Sequence, residues 1–144
     1  MAHVTLNHPK LTLEGAEAVL AAAKAHAARI GVPMNIAVVD DGGHMIAFAR
    51  MDGAKLSSID IAINKAVAAA IRRQATGPAR SGDDVNVMIS LSLAIGSGAR
   101  QTPIRGGFPL EANGECVGAI GVSAGTEDQD VEVARAGVDA FGKA

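Results

Sequence analysis

The segment AVVDDGGHMIAFARMDG, Ala37 to Gly53, sets a carboxylate four residues before an imidazole, with two glycines between: Asp40, then Gly42-Gly43, then His44. A histidine whose ring is oriented by a carboxylate suits general acid–base work and suits metal ligation equally. Asp40 and His44 are therefore the candidate catalytic pair. Three cations are candidates to hold an anionic ligand: Arg50, eight residues after the Asp41-Gly42 step, Lys65, and Arg105 beside Gly106-Gly107. An arginine fork matches a carboxylate in two hydrogen bonds. Adjacent glycines permit close backbone approach and can present N–H groups to a carbonyl or carboxylate. Glu127 completes the ligand-binding set, at a helix start that adds further N–H donors. Ion pairs to Asp40, Asp52 or Glu127 are the alternative employment of these cations.

Several chemistries are excluded. Cys116 is the one cysteine, and no two histidines stand at helical ligand spacing, so a protein-only tetrahedral zinc site is not expected. Ser97, in IGSGA, lacks the spacing of a Gly-x-Ser-x-Gly nucleophile elbow. Gly106-Gly107 precedes a strand rather than a helix and cannot imitate a phosphate-binding loop.

The elements that must carry these residues follow from periodicity and turn chemistry. Residues 12–30 read as an amphipathic helix capped by Thr12, with Leu13, Ala16, Val19, Leu20, Ala23, Ala27 and Ile30 inward, stopped by Gly31 and Pro33. The quoted segment reads as a β-hairpin. In its second arm His44, Ile46, Phe48 and Arg50 share one face, and both faces are expected to be partly buried. Ser57 with Asp60 predicts a helix running to about Gln74, with Ile59, Ile63, Ala66, Val67, Ala70 and Ile71 as its core stripe. Lys65 and Arg72 lie to one side, and the run AVAAA is small enough for a neighbouring backbone to approach closely. Ser81 is expected to cap a third helix, GDDVNVMISLSLA, and Ile95 to Leu110 to form an irregular glycine-rich loop. Asn113-Gly114 marks a second hairpin, and the Thr126-x-x-Gln129 capping box opens a final helix. Two hairpins with helices and no strand–helix alternation predict an α+β sandwich: one antiparallel sheet with helices packed over it.

At 144 residues and 49% hydrophobic composition the whole chain, 1–144, is expected to form a single domain. A formal charge of -2 and only three aromatic residues, all phenylalanine, argue against nucleic acid as a partner. No segment reaches the roughly 20 apolar residues of a membrane span, and the opening MAHVTLNHPK has neither the basic start nor the apolar run of a signal peptide. These features predict a cytoplasmic protein with no membrane partner. Cys116, in GECVGAIGV, is expected to be a buried packing residue.

IAVVDDGGHMIAFARMDGA, then KAVAAA at Lys65 to Ala70, then GGFPLEANGECVGAIGVSAGTEDQDVEVARAG at Gly106 to Gly137 together resemble the GlcG/HbpS-like family of haem-degrading domain proteins. That family is similar to the C-terminal domain of the PduO group, and the likeness runs from Leu11 onward. It implies a profilin-like or PAS-like single antiparallel sheet of about five strands flanked by helices, commonly assembled as a homo-oligomer. It makes haem the nominal cofactor, with His44 and His26 as the candidate iron ligands; His3 and His8 lie in an extended N-terminal segment. The leading expectation is a small-ligand-binding protein whose pocket lies between the sheet, the Gly106-Gly107 loop and the last helix. The alternatives are an enzyme of small organic-acid or aromatic catabolism, using His44 or Asp40 for proton transfer, and an accessory oligomer without chemistry of its own.

Overall fold

In the computed structural model, residues 3–142 are described. Four helices and six strands follow in the order α1 (Leu13–Arg29), β1 (Asn35–Asp40), β2 (Met45–Arg50), α2 (Ile59–Arg72), β3 (Arg80–Ser81), β4 (Asp84–Val85), α3 (Val87–Gly96), β5 (Gly107–Ala112), β6 (Glu115–Ser123) and α4 (Glu127–Gly142). One 3₁₀ turn, Leu56–Ser58, leads into α2. The sheet is antiparallel with strand order β2-β1-β6-β5, so it has four strands where the resemblance implied about five; β3 and β4 form a separate ribbon.

Both hairpins close as their turn residues require. In the first, Gly43 adopts φ +85°, Asp40 O accepts from Gly43 N at 3.1 Å, and Asp40 N donates to His44 O at 2.8 Å. That is a tight turn closed by a left-handed glycine. In the second, Asn113 and Gly114 both have positive φ, 54° and 79°, the signature of a type I′ turn.

The sheet separates two apolar layers. Ile36 and Val38 of β1 with Ile120 and Val122 of β6 pack against Val19, Ala23, Val133 and Ala134 of α1 and α4. Ala37, Val39 and Ala119 face Ala66, Val67, Ala69 and Ala70 of α2. The alanine run lets α2 lie almost on the strands. A Cβ added to Gly121 would overlap the backbone of Ala62 and Ala66, and one added to Gly107 would overlap the carbonyl of Lys65. This is the close approach expected of AVAAA.

The caps divide. Thr12 Oγ1 accepts from Gly15 N at 3.0 Å, and the Thr126–Gln129 box makes both of its bonds, at 3.0 and 3.2 Å. The third helix begins later than predicted. Ser81 and Gly82 are used in the β3–β4 turn, and Asn86 is the cap, accepting from Ile89 N at 3.0 Å. Likewise Ser57 falls within the 3₁₀ turn, and α2 begins at Ile59 with no side-chain cap. The buried stripe of α2 is rotated from the predicted one: it includes Ala62 and Lys65 and leaves Ile71 39% exposed. Leu13, expected inward, is exposed.

Candidate functional site

The predicted residues divide between the two ends of the sheet. Antiparallel pairing sets Asp40 opposite Gly118 and Asn35 opposite Ser123, so the first hairpin turn and the Gly106 region lie at opposite ends of β1. At roughly 3.3 Å per residue the separation is about 17 Å.

At the hairpin end, Asp40 Oδ1 accepts from the backbone N–H groups of Gly42 and His44, each at 2.9 Å, and faces His44 Nδ1 at 3.2 Å. Partial burial alone would raise the Asp40 carboxyl. The two backbone donors and the imidazole outweigh it and hold the group below 3.8. The expected orientation of the ring by Asp40 is thus present. The His44 side chain is 82% exposed on the turn, however, and no wall rises around it. Arg50 is also exposed, at the other end of the same strand.

At the Gly106 end, Lys65 is not open to a ligand. It is completely buried, and its Nζ donates to Val122 O and to Asp130 Oδ2, both at 2.8 Å. Asp130 is itself 3% exposed and accepts from Gly125 N at 3.0 Å through Oδ1. The pair ties α2, on one face of the sheet, to α4 on the other. Burial pulls the Lys65 ammonium below 10.5, and Asp130, then Glu127, partly oppose that pull. Gly106 and Gly107 are buried as well, and Gly107 N is already spent on Thr76 Oγ1 at 2.9 Å. Gly106 adopts φ +122°, and a Cβ there would crowd Val122 O and Lys65 Nζ at 2.9 and 3.0 Å. These glycines serve packing rather than exposed N–H donation. Arg105 bonds Asp128 Oδ1 at 3.0 Å, and Glu127 Oε1 accepts from Arg105 N at 3.3 Å. Lys65, Arg105, Gly106, Gly107 and Glu127 are thus gathered at one end of the sheet, but Lys65 is closed off in its pair with Asp130 and Arg105 is paired at the surface with Asp128, while His44 and Asp40 stand apart from them.

A concavity with a histidine in its wall lies elsewhere, along the crossing of α1 and α4. A trough of about 620 Å³ has a floor of small residues, Ala22, Ala25, Ala136 and Ala140. Its walls carry His26, Arg29, Glu132, Arg135 and Asp139. Alanines at the crossing leave the depression because a longer side chain there would fill it. His26 Nε2 meets Glu132 Oε1 at 2.6 Å, and His26 Nδ1 meets the Arg29 guanidinium. Arginine can only donate, so Nδ1 carries the lone pair and Nε2 the proton that Glu132 accepts. Arg135 is held at the wall by stacking over Phe108, 4.9 Å from the ring centroid.

Sequence reasoning missed Asp130, Glu132 and Arg135. Glu132 and Arg135 fall three residues apart on α4, a spacing that marked a shared face but not what it faced. Among the described residues no group of three or more His, Cys, Asp or Glu side chains is arranged to hold a metal ion, and no helix is long and apolar enough to cross a membrane. Cys116 is buried, as expected.

Residues 11–139 match the family model of haem-degrading HbpS-like proteins. The 15.0 kDa protein of the dhaT-dhaS intergenic region of Citrobacter freundii is 39% identical over 132 residues, 91% of this chain and 92% of that one. The crystal structure of Klebsiella pneumoniae ORFY superposes with a TM-score of 0.87 at 30% identity, covering 100% of this chain and 99% of the other. That of the PduOC:heme complex superposes with a TM-score of 0.80 over 92% and 95% of the two chains; its 24% identity makes the likeness one of fold. Sheet, helices and matched sequence agree, and the chain belongs to the HbpS-like family.

Proposed function

We propose that this chain is a cytoplasmic, oligomeric haem-binding protein, and that haem binds in the α1–α4 trough with His26 as the iron ligand. The observation that carries the reading is the trough itself, which combines a histidine whose lone-pair nitrogen is held by one movable arginine, an apolar floor and a second arginine. Its volume is within the range of small-molecule sites. The family's haem-degrading description and the haem complex of PduOC supply the ligand class. A single free cysteine suits a reducing compartment.

The residues present fit the group. The alanine floor admits a flat macrocycle to the helix backbones. Glu132 fixes the His26 tautomer and orientation, as carboxylates behind ligating histidines do. Arg29 and Arg135 are placed to pair with carboxylates such as propionates. Arg29 at present occupies the His26 lone pair, so engaging a carboxylate frees Nδ1 in the same movement. Bound haem supplies an iron centre for redox or gas-ligand chemistry; this chain's part is to bind, orient and charge-match it.

The enzyme reading built on Asp40, His44, Lys65 and Arg105 loses its geometric support, because the first pair and the second two occupy opposite ends of the sheet. Hemin titration followed at the Soret band tests the proposal. Wild-type protein and His44→Ala are expected to give the same saturable shift, and His26→Ala to lose it. A His26→Ala protein that titrates like wild type overturns the assignment.

A further inference from the structure

Helix α3 is turned inside out. Its inner face is Ser90, buried, with half-buried Leu93 and Ala94, while Val87, Met88, Leu91 and Ile95 form a continuous outward stripe. At about 100° per residue, those four fall within roughly one quadrant of the helix. Met88 and Ile95 are 78% and 79% exposed, and Val85 and Ile89 extend the patch. The helix has ten residues and no charged side chain. A helix this short is marginal in water without packing.

We propose that α3 is a self-association face, on which a second copy of this chain packs its own α3 antiparallel across a two-fold axis. The inference rests on the oligomeric reading above and names the surface that makes it. Three observations select a second copy as the occupant. The first is area: the six exposed side chains at positions 85, 87, 88, 89, 91 and 95 present on the order of 600 Å² of apolar surface. That approaches the roughly 800 Å² each partner contributes to a standard interface. The second is charge. Asp83 and Asp84, with Arg80 beside them across the ribbon, precede the helix and Arg100 follows it, all exposed, so antiparallel pairing sets the net acidic flank of one copy beside the arginine of the other. The opposed helix dipoles add to this match. The third is shape: a convex stripe spaced i, i+4, i+8 at Val87, Leu91 and Ile95 interdigitates with an identical stripe but offers no concavity to a small ligand. An anionic membrane surface is disfavoured because the helix itself carries no cation and the flank nearest the stripe, Asp83 and Asp84 with Arg80, is net acidic.

The test is sedimentation equilibrium on the full chain for wild type, Leu91→Lys, Asp84→Lys and Asp84→Lys/Arg100→Glu, with circular dichroism to show that each is folded. Leu91 is exposed, so Leu91→Lys is expected to keep the native spectrum. Wild type is expected to self-associate. Leu91→Lys, present twice in a two-fold contact, is expected to raise the dissociation constant about a hundredfold or more. Asp84→Lys is expected to weaken association, and the charge-swapped double variant to restore it. A wild-type oligomer that Leu91→Lys leaves unchanged overturns this face while the oligomeric reading stands. A wild type that is monomeric throughout overturns both. Flotation with neutral phosphatidylcholine vesicles separates the remaining occupant: a monomer that binds vesicles through Leu91 also overturns the proposal.

Discussion

Replacing Asp130 by alanine strands the Lys65 ammonium in the interior with one backbone carbonyl, that of Val122, and leaves Gly125 N without its acceptor. Both side chains of the pair are nearly inaccessible, at 1% and 4%, so water does not replace the lost partner. Breaking a buried pair by removing one member costs about 3–5 kcal/mol. A domain of this size has about 5–15 kcal/mol in total. At about 2–4 °C per kcal/mol, the melting temperature is expected to fall by about 10 °C or more. The pair as a unit is expected to be worth far less than either half. Lys65→Met with Asp130→Asn removes both charges and keeps an amide oxygen for Gly125, and is expected to recover most of the loss. A pH signature accompanies this. Burial places the folded Lys65 below 10.5, so the unfolded chain binds the extra proton between the two values and stability rises with pH there. Removing Asp130 deletes an interaction that favours the ammonium, which widens that window. The deficit of Asp130→Ala is therefore expected to narrow as the pH is raised from neutrality toward 10.5. Urea denaturation at several pH values measures all of this. An Asp130→Ala deficit below about 1 kcal/mol, or a double variant no more stable than the single one, refutes the reasoning.

Two further outcomes follow from the packing and the surface charges. Gly121→Ala drives a methyl into the α2 backbone at Ala62 and Ala66, with no side chain able to yield, and is expected to cost about 3 kcal/mol in chemical denaturation. The Asp41 carboxyl is held below 3.8 chiefly by the Lys10 ammonium, with His8 adding to it. Its contribution is present above 3.8 and is lost as the pH falls through the lower folded value. Asp41→Asn is expected to cost at most about 1 kcal/mol at neutral pH, since Lys10 is exposed, and its acid unfolding curve should merge with that of wild type only once the pH is below the lowered folded value.

The elements were legible because their ends are written locally. Thr12, Gly43, Asn113-Gly114 and the Thr126–Gln129 box each act within four residues, and each does what its chemistry predicts. The third helix starts later than Ser81 suggests because Ser81-Gly82 is equally good turn chemistry and closes the β3–β4 ribbon, which leaves Asn86 as the cap. The site was less legible, because its pairings join residues far apart in the chain. Lys65 finds Asp130 across 65 residues and His26 finds Glu132 across 106, and both depend on how three layers are stacked. The sequence singles out Arg50, Lys65 and Arg105 as ligand-holding cations and passes over Arg29 and Arg135. It could not reveal that Lys65 is consumed by the core while Arg29 and Arg135 remain at an open trough. Nor does periodicity alone tell an inward stripe from an outward one, which is why α3 read as an ordinary helix.

The central claim, that haem occupies the trough between α1 and α4, is tested most directly by amide NMR of the protein titrated with ferric haem. A paramagnetic iron broadens the resonances nearest to it. The account predicts selective loss of the Ala22, Ala25, His26, Glu132 and Ala136 amides, with Gly42, Gly43 and His44 unaffected and the loss abolished in His26→Ala. Broadening centred on the Gly42–His44 turn, or none at saturating haem, would contradict it.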